Sequence, residues 1–263
     1  MVVTKKTGQD LAQRIDTSWS VTNRGKKEIL AFEVLPDGVA KLIFRFSDSG
    51  CRMVLIGPST EKASVEIDGA SEYIGIRFRA GQTPYLADIT PAELVNNHAE
   101  LSHFQGVPIE SLAERMLALP NSSERRRVME DMVRGLRPLV RDDRCRLAAD
   151  LLEAHCGRLR VGELAAQLNL TKRSLERMFL DHLAITPKRM SRLVRLRHLL
   201  SKLQNQSFTS LADLSQNCGY ADQSHMIKDF RDLTGRLPGE PDAALTRQVN
   251  GNLKTRIVHR YRS

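Results

Sequence analysis

Between residues 26 and 80 hydrophobic and polar positions alternate in short runs. Residues 29–34, 39–46, 52–56, 63–67 and 73–79 each carry the two-residue period of a strand. Pro36-Asp37-Gly38, Asp48-Ser49-Gly50 and Asp68-Gly69 break the runs as turns. Short strands punctuated this way predict a small antiparallel barrel or sandwich. Residues 1–25 are polar and give no element. Trp19, the chain's one tryptophan, is expected to pack on the strands rather than line a pocket. Leu30, Phe32, Phe44 and Phe46 alternate onto one face, which fits a filled core better than a ligand cavity.

After residue 90 the period lengthens. Thr90-Pro91-Ala92-Glu93 has the residues of a capped helix start, and that helix is expected to reach about His98. A second helix is expected over 108–119, with Ile109, Leu112, Met116 and Leu119 along one side. Asn121-Ser122-Ser123-Glu124 starts a third, whose apolar side would be Val128, Met132 and Leu136. Such stripes fit packing within the domain and contact with a second chain equally well. Residues 139–144 read as a linker, and Leu147, Leu151 and Leu152 open a second, wholly helical part. The expected division is 1–138, then 145–241, then a basic tail at 242–263.

The helical part repeats itself. Val161 and Leu164 recur as Leu211 and Leu214; Leu175, Arg177, Phe179 and Pro187 recur as Met226, Lys228, Phe230 and Pro238. The second set is offset by one residue more than the first, and the extra residue falls in a turn, where Asn169-Leu170 becomes Gly219-Tyr220-Ala221. A repeat this long is one supersecondary unit used twice. Each copy reads as a short helix, a tight turn and a second helix. Thr171 can cap the first copy's second helix, and Asp222 or Ser224 the other's. Their apolar sides are Leu175, Met178, Phe179 and Leu183 in one, Met226, Phe230 and Leu233 in the other. Their polar faces carry Thr171, Lys172, Arg173, Ser174 and Arg177, and Asp222, Gln223, Ser224, His225 and Lys228. Such side chains donate to base edges and phosphates, and a short helix fits the major groove. For Ser174, Asp222 and Ser224, capping competes with DNA contact as the reason for the residue. A helix over 188–203 would join the copies. At 1.5 Å per residue it is about 24 Å long, and with the flanking units it could place the two reading helices about 34 Å apart, one turn of duplex.

Charge sharpens this picture. Residues 1–144 hold 20 Lys and Arg against 20 Asp and Glu, whereas residues 145–263 hold 20 against 11, so the whole net charge of +9 sits on the repeat-bearing part. A basic domain joined to a neutral one fits nucleic-acid binding by the first. Six cations, Lys188, Arg189, Arg192, Arg195, Arg197 and Lys202, crowd the joining helix, and some are expected to face phosphates or solvent. Cys51, Cys145, Cys156 and Cys218 are scattered without metal-ligand spacing and read as reduced, partly buried thiols. No nucleophile elbow, zinc-protease motif or phosphate loop is present, so an enzyme is not expected, nor a metal or other cofactor. No apolar run of membrane length occurs, and the N-terminus lacks the apolar core of a secretory signal.

Gly219-Tyr220-Ala221-Asp222-Gln223-Ser224-His225, then Phe230, Gly235 and Pro238, resemble the AraC/XylS family of bacterial transcription regulators. In the first copy Thr171, Arg173, Leu175, Arg177, Phe179 and Thr186-Pro187-Lys188 keep that family's spacing. The chain departs from it at Ala184, where a glycine is usual, at Met190, where an aromatic is usual, and at Gly239-Glu240-Pro241. The strand-rich part, through Leu35-Pro36-Asp37-Gly38, Gly57-Pro58 and Gly75-Ile76-Arg77-Phe78, resembles the cupin-like sensory domains that precede such regulators. Residues 26–80 lack histidine, which argues against a metal-dependent cupin; His98 and His103, near the expected helices, read as surface or packing residues. The resemblance implies an α+β multidomain fold, with an N-terminal antiparallel β-barrel or cupin-like domain and a C-terminal all-α domain of two helix-turn-helix motifs. It implies double-stranded DNA and RNA polymerase as partners, an activator in the bacterial cytoplasm and nucleoid, and a small-molecule effector and a homodimer as options. It also implies that Arg195 pairs with a carboxylate inside the domain. A nonspecific nucleoid protein is the alternative, separable by its indifference to DNA sequence at fixed salt.

Overall fold

The computed structural model describes residues 2–5, 13–22, 29–48, 50–68, 70–86, 89–137, 139 and 142–238. The expected basic tail, Gly239-Glu240-Pro241, Arg141 and the side chains of Leu30 and Phe32 lie outside them. The strand-rich part contains β1 (Val2–Lys5), β2 (Ile15–Thr22), β3 (Ile29–Val34), β4 (Lys41–Ser47), β5 (Gly50–Ile56), β6 (Ala63–Asp68) and β7 (Glu72–Phe78). A short helix α1 (Pro91–Leu94), strands β8 (His98–Leu101), β9 (His103–Phe104) and β10 (Val107–Pro108), and helices α2 (Ile109–Leu117) and α3 (Ser122–Arg134) complete it. Six strands form an antiparallel sheet in the order β1-β2-β7-β4-β5-β8, while β3 pairs with β6 and β9 with β10.

Strand β4, in the middle of the large sheet, packs on both sides, which is why 39–46 reads as a nearly continuous apolar run. Leu42, Phe44 and Phe46 of β4 point to one side, joined by Met53, Leu55, Ile74, Ile76 and Phe78 and covered by Leu112 and Met116 of α2 and Met129 and Val133 of α3. The Phe44 and Phe46 rings meet edge to face at 4.5 Å. They fill the core. Ile43 points the other way, into a smaller cluster with Trp19, Val21, Ile56 and Tyr73, against Val34 and Ala63 of the β3–β6 pair. Trp19 lies opposite Gly75 in the β2–β7 register, and a Cβ at Gly75 would overlap the indole. The tryptophan therefore packs, as expected.

Several expectations need correction. The polar N-terminal 25 residues contain two strands; the partner strand β7 supplies the hydrogen bonds that order β2. Helix α1 has its full capping box but ends at Leu94, because Asn96 turns to φ 56° and bonds Thr60 through its side chain. The chain then pairs along β5 as β8, so His98 and His103 sit exposed on strands rather than near helices. The buried side of α3 is Arg125, Arg126, Met129 and Val133, while Val128 is exposed. Arg125 is held there by Glu72 and by the carbonyl of Met116 at 2.8 Å.

The helical part contains α4 (Asp143–Ala154), α5 (Val161–Gln167), α6 (Lys172–Leu183), α7 (Pro187–Gln204), α8 (Leu211–Asn217) and α9 (Gln223–Thr234). The α4 helix turns Cys145, Ala148, Ala149 and Leu152 inward and leaves Leu147 exposed, against the expected apolar side. Its first unit packs on Leu164, Leu175, Phe179, Leu183, Met190 and Val194; its second on Leu193, Leu196, Leu200, Leu214, Phe230 and Leu233. The N-terminal β-sheet domain and the helical C-terminal domain thus realise the α+β organisation. Among the described residues no helix is long and apolar enough to cross a membrane.

Candidate nucleic-acid interface

The two copies match element for element. Helices α5 and α8 are seven residues each, α6 and α9 twelve each. The turn between each pair needs one left-handed residue, supplied by Asn169 (φ 53°) and by Gly219 (φ 75°). Thr171 caps α6, its hydroxyl accepting from the Ser174 amide at 3.1 Å, and Asp222 caps α9, its carboxylate accepting from the His225 amide at 2.8 Å. Each cap takes an otherwise orphaned N–H and fixes where the helix begins. Ser224 makes no cap, and the Ser174 hydroxyl lies 2.9 Å from that of Thr171.

All ten expected site residues are exposed: Thr171, Lys172, Arg173, Ser174 and Arg177 on α6, and Asp222, Gln223, Ser224, His225 and Lys228 on α9. Leu175, Met178 and Phe179, and Met226 and Phe230, are buried behind them. Arg177 reaches Asp181 at 3.6 Å with both groups largely in solvent, a weak pair that leaves the guanidinium available. His225 stands edge-on to the Tyr220 ring at 5.4 Å, which restrains its imidazole at the front of α9.

Helix α7, 18 residues or about 27 Å long, joins the copies. Its cations are mostly engaged within the protein. Arg189 donates to the Thr60 carbonyl, Arg192 to Asp229 and, at 3.4 Å, to Asp232, and Arg197 to Glu153. Arg195 lies over the Tyr220 ring at 5.0 Å. The resemblance implied a carboxylate partner for Arg195; here Arg195 stacks on an aromatic ring, and the buried Asp229 is bound by Arg192, one turn earlier. Lys188 remains exposed. The Asp229–Arg192 pair is completed by the Tyr220 hydroxyl, which donates to Asp229 at 3.2 Å. Burial, with the Asp229 charge beside it, raises the phenol well above its ordinary range, so it stays a donor. This network went unread in the sequence. Its signal was a polar residue at a buried helical phase: Asp229 stands where the first copy has Met178.

A family model described as a helix-turn-helix domain matches residues 164–242, and one described as a domain of unknown function, DUF6597, matches residues 6–100. The HTH-type transcriptional activator RhaS of Pectobacterium atrosepticum is 34% identical over 77 residues, 29% of this chain and 27% of that relative. RhaS of Pectobacterium carotovorum is 32% identical over the same extent. The chain thus spans just over a quarter of the length of these curated relatives. Among solved structures, an AraC-type regulator from Chromobacterium violaceum aligns with 41% of this chain and 93% of its own at 23% identity and a TM-score of 0.35. ToxT of Vibrio cholerae aligns with 91% of this chain and 97% of its own at 10% identity and a TM-score of 0.47. Residues 164–242 thus carry a duplicated helix-turn-helix domain, set behind an N-terminal β domain.

Proposed function

We propose that the chain is a sequence-specific DNA-binding transcription regulator that activates its targets through contact with RNA polymerase. One observation carries the reading: two helices of equal length, twelve residues each, expose Arg, Lys, Gln, Ser and His on their leading turns while burying the opposite side. In this reading Arg173, Arg177, Gln223, His225 and Lys228 touch bases or phosphates. Arg reads guanine with two hydrogen bonds and Gln reads adenine. Thr171 and Asp222 position the helices, because their polar atoms are committed to caps. The activator's role in RhaS supports activation here. A DNA partner places the protein at the bacterial chromosome, with the described part free of membrane-spanning helices. In the β domain, residues 1–138 in this proposal, the described side chains pack into filled clusters, which supports an effector or a second copy of the chain acting on its surface or its junction with the helices.

The test begins with DNA selected from a random pool by the full chain. Arg177→Ala and Gln223→Ala are each expected to weaken binding to the selected sequence by on the order of tenfold, the worth of one good base contact. Melting temperature should not move, since both side chains are exposed. Unchanged mobility shifts in both variants would remove these residues from the interface. Equal affinity for selected and scrambled DNA at fixed salt would replace the regulator with a nonspecific binder.

A further inference from the structure

The two helix-turn-helix units have separate cores with no residue in common. They are joined through α7 and through Arg158, whose stem crosses Gly219. The relative twist of the two units is set by that joint and by whatever else holds both of them. Recognition across two successive major grooves tolerates little twist, because one base pair of error moves a half-site by about 3.4 Å and turns it by about a tenth of a revolution.

The β domain touches both units at the ends of the reading helices that point away from the exposed faces. At the first unit, Val39 and Ala80 enter the core that holds Phe179, Leu183 and Ile185, and Arg79 meets Asp150 of α4 at 3.4 Å. At the second, Leu35 is buried among Leu193, Leu196, Phe230 and Leu233. Arg236, just past α9, donates to Glu33 at 2.9 Å; Lys62 meets the same carboxylate at 3.2 Å and lies over Gly235. Between the units, Arg189 of α7 is held by the Thr60 carbonyl, and Gly38 sits so close to Leu193 that a Cβ would come within 2.9 Å. The segments that do this, 33–39 and 59–62, are tied to each other, since the Asp37 and Gly38 amides both donate to the Ser59 carbonyl at 3.2 and 3.0 Å. Together they form one tongue that bears on the helices of both units.

We infer that this tongue is a positioning element for DNA recognition: by gripping the trailing ends of α6 and α9 and the helix between them, the β domain sets the half-site spacing that one chain accepts. Glu33 and Leu35 are positioning residues for the second unit; they lie on the β domain, and the ten exposed reading residues lie on the opposite ends of α6 and α9. The inference rests on the DNA-binding reading above.

The experiment uses the full chain and its selected DNA, remade with one base pair added or removed between the half-sites. The unaltered chain should lose on the order of tenfold in affinity for either change, the cost of about one mismatched contact. The double variant Glu33→Ala, Leu35→Ala should stay within about threefold of the unaltered chain on each half-site alone, and its affinities for the three spacings should fall within about threefold of one another. A spacing profile identical to that of the unaltered chain overturns the inference and leaves the DNA-binding reading standing. An unaltered chain with no sequence preference sinks both. Should the double variant melt early, Glu33→Gln, which removes only the charge to Arg236 and Lys62, is read the same way; a relaxed profile supports the tongue and an unrelaxed one overturns it.

Discussion

Ala184 closes α6 with φ 54°, a left-handed conformation that costs a residue with a Cβ about 1 kcal/mol. The equivalent residue after α9 is Gly235 at φ 74°, where the conformation is free. Ala184→Gly should therefore stabilise the protein by about 1 kcal/mol, less a few tenths for the more flexible unfolded chain, and Gly235→Ala should destabilise it by a similar amount. Urea midpoints at constant slope measure both. The departure from the family at Ala184 was visible in the sequence; that it carries strain was not, because strain depends on the observed φ. A second residue-scale case is Asp37. Burial alone would raise its carboxyl, but Lys41 at 2.7 Å and Arg77 at 3.3 Å overcome that and bring it down to about 2. A carboxyl depressed in the fold contributes stability above its unfolded value, near 4, and loses it as pH falls toward 2. The contribution is about 2 kcal/mol at neutral pH. Asp37→Asn is expected to lower stability at pH 7 and to flatten the decline between pH 4 and 2, as followed by thermal melts across that range.

Among the elements, α6 and α9 are alike in length and exposure but are fastened differently. Met178 of α6 lies in an apolar core, whereas Asp229 of α9 is buried against Arg192 and Tyr220. Removing one member of such a pair strands the other, so Asp229→Ala should cost about 3 kcal/mol, while Met178→Leu, which conserves volume, should cost under about 1.5. Hydrogen exchange in the Asp229→Ala protein should rise across 220–234 more than across 170–183; uniform acceleration would show that the network does not hold α9 in particular. The repeat was legible because apolar residues recur at helical spacing in both copies. The ion pair was not, since charge on a helix is compatible with solvent until a partner is brought within reach.

At the scale of the whole molecule, the buried thiols report the integrity of the helical cores. Cys145 and Cys218 are fully enclosed, and burial raises their thiols to about 12 and about 11. Both should resist a disulfide reagent at pH 8 in the native protein and react only when the structure opens, whereas Cys51 and Cys156, part exposed, should react first. Mass-resolved labelling in rising urea separates the two classes; early labelling of Cys218 would mean that the second unit opens on its own. Helix α7 belongs to this scale too. Its row of cations looked like a phosphate-facing stripe, yet four of them are spent on Thr60 and Glu153, 129 and 44 positions nearer the N-terminus, and on Asp229 and Tyr220 beyond α8.

Local order was readable from the chain alone. Periods of two and of three to four residues placed the strands β3 to β7 and the helices α5 to α9, and the caps at Thr90, Asn121, Thr171 and Asp222 could be named, because each is decided by residues within a few positions. The exposed faces of α6 and α9 followed from the same periodicity. Tertiary structure alone decided the rest. The strand at Ile15–Thr22 exists because β7 offers it hydrogen bonds, Arg125 is buried because Glu72 waits 53 residues away, and the segments 33–39 and 59–62 meet three helices far along the chain. Pairings across such separations depend on how the cores close, and no local pattern of polar and apolar residues encodes that closure.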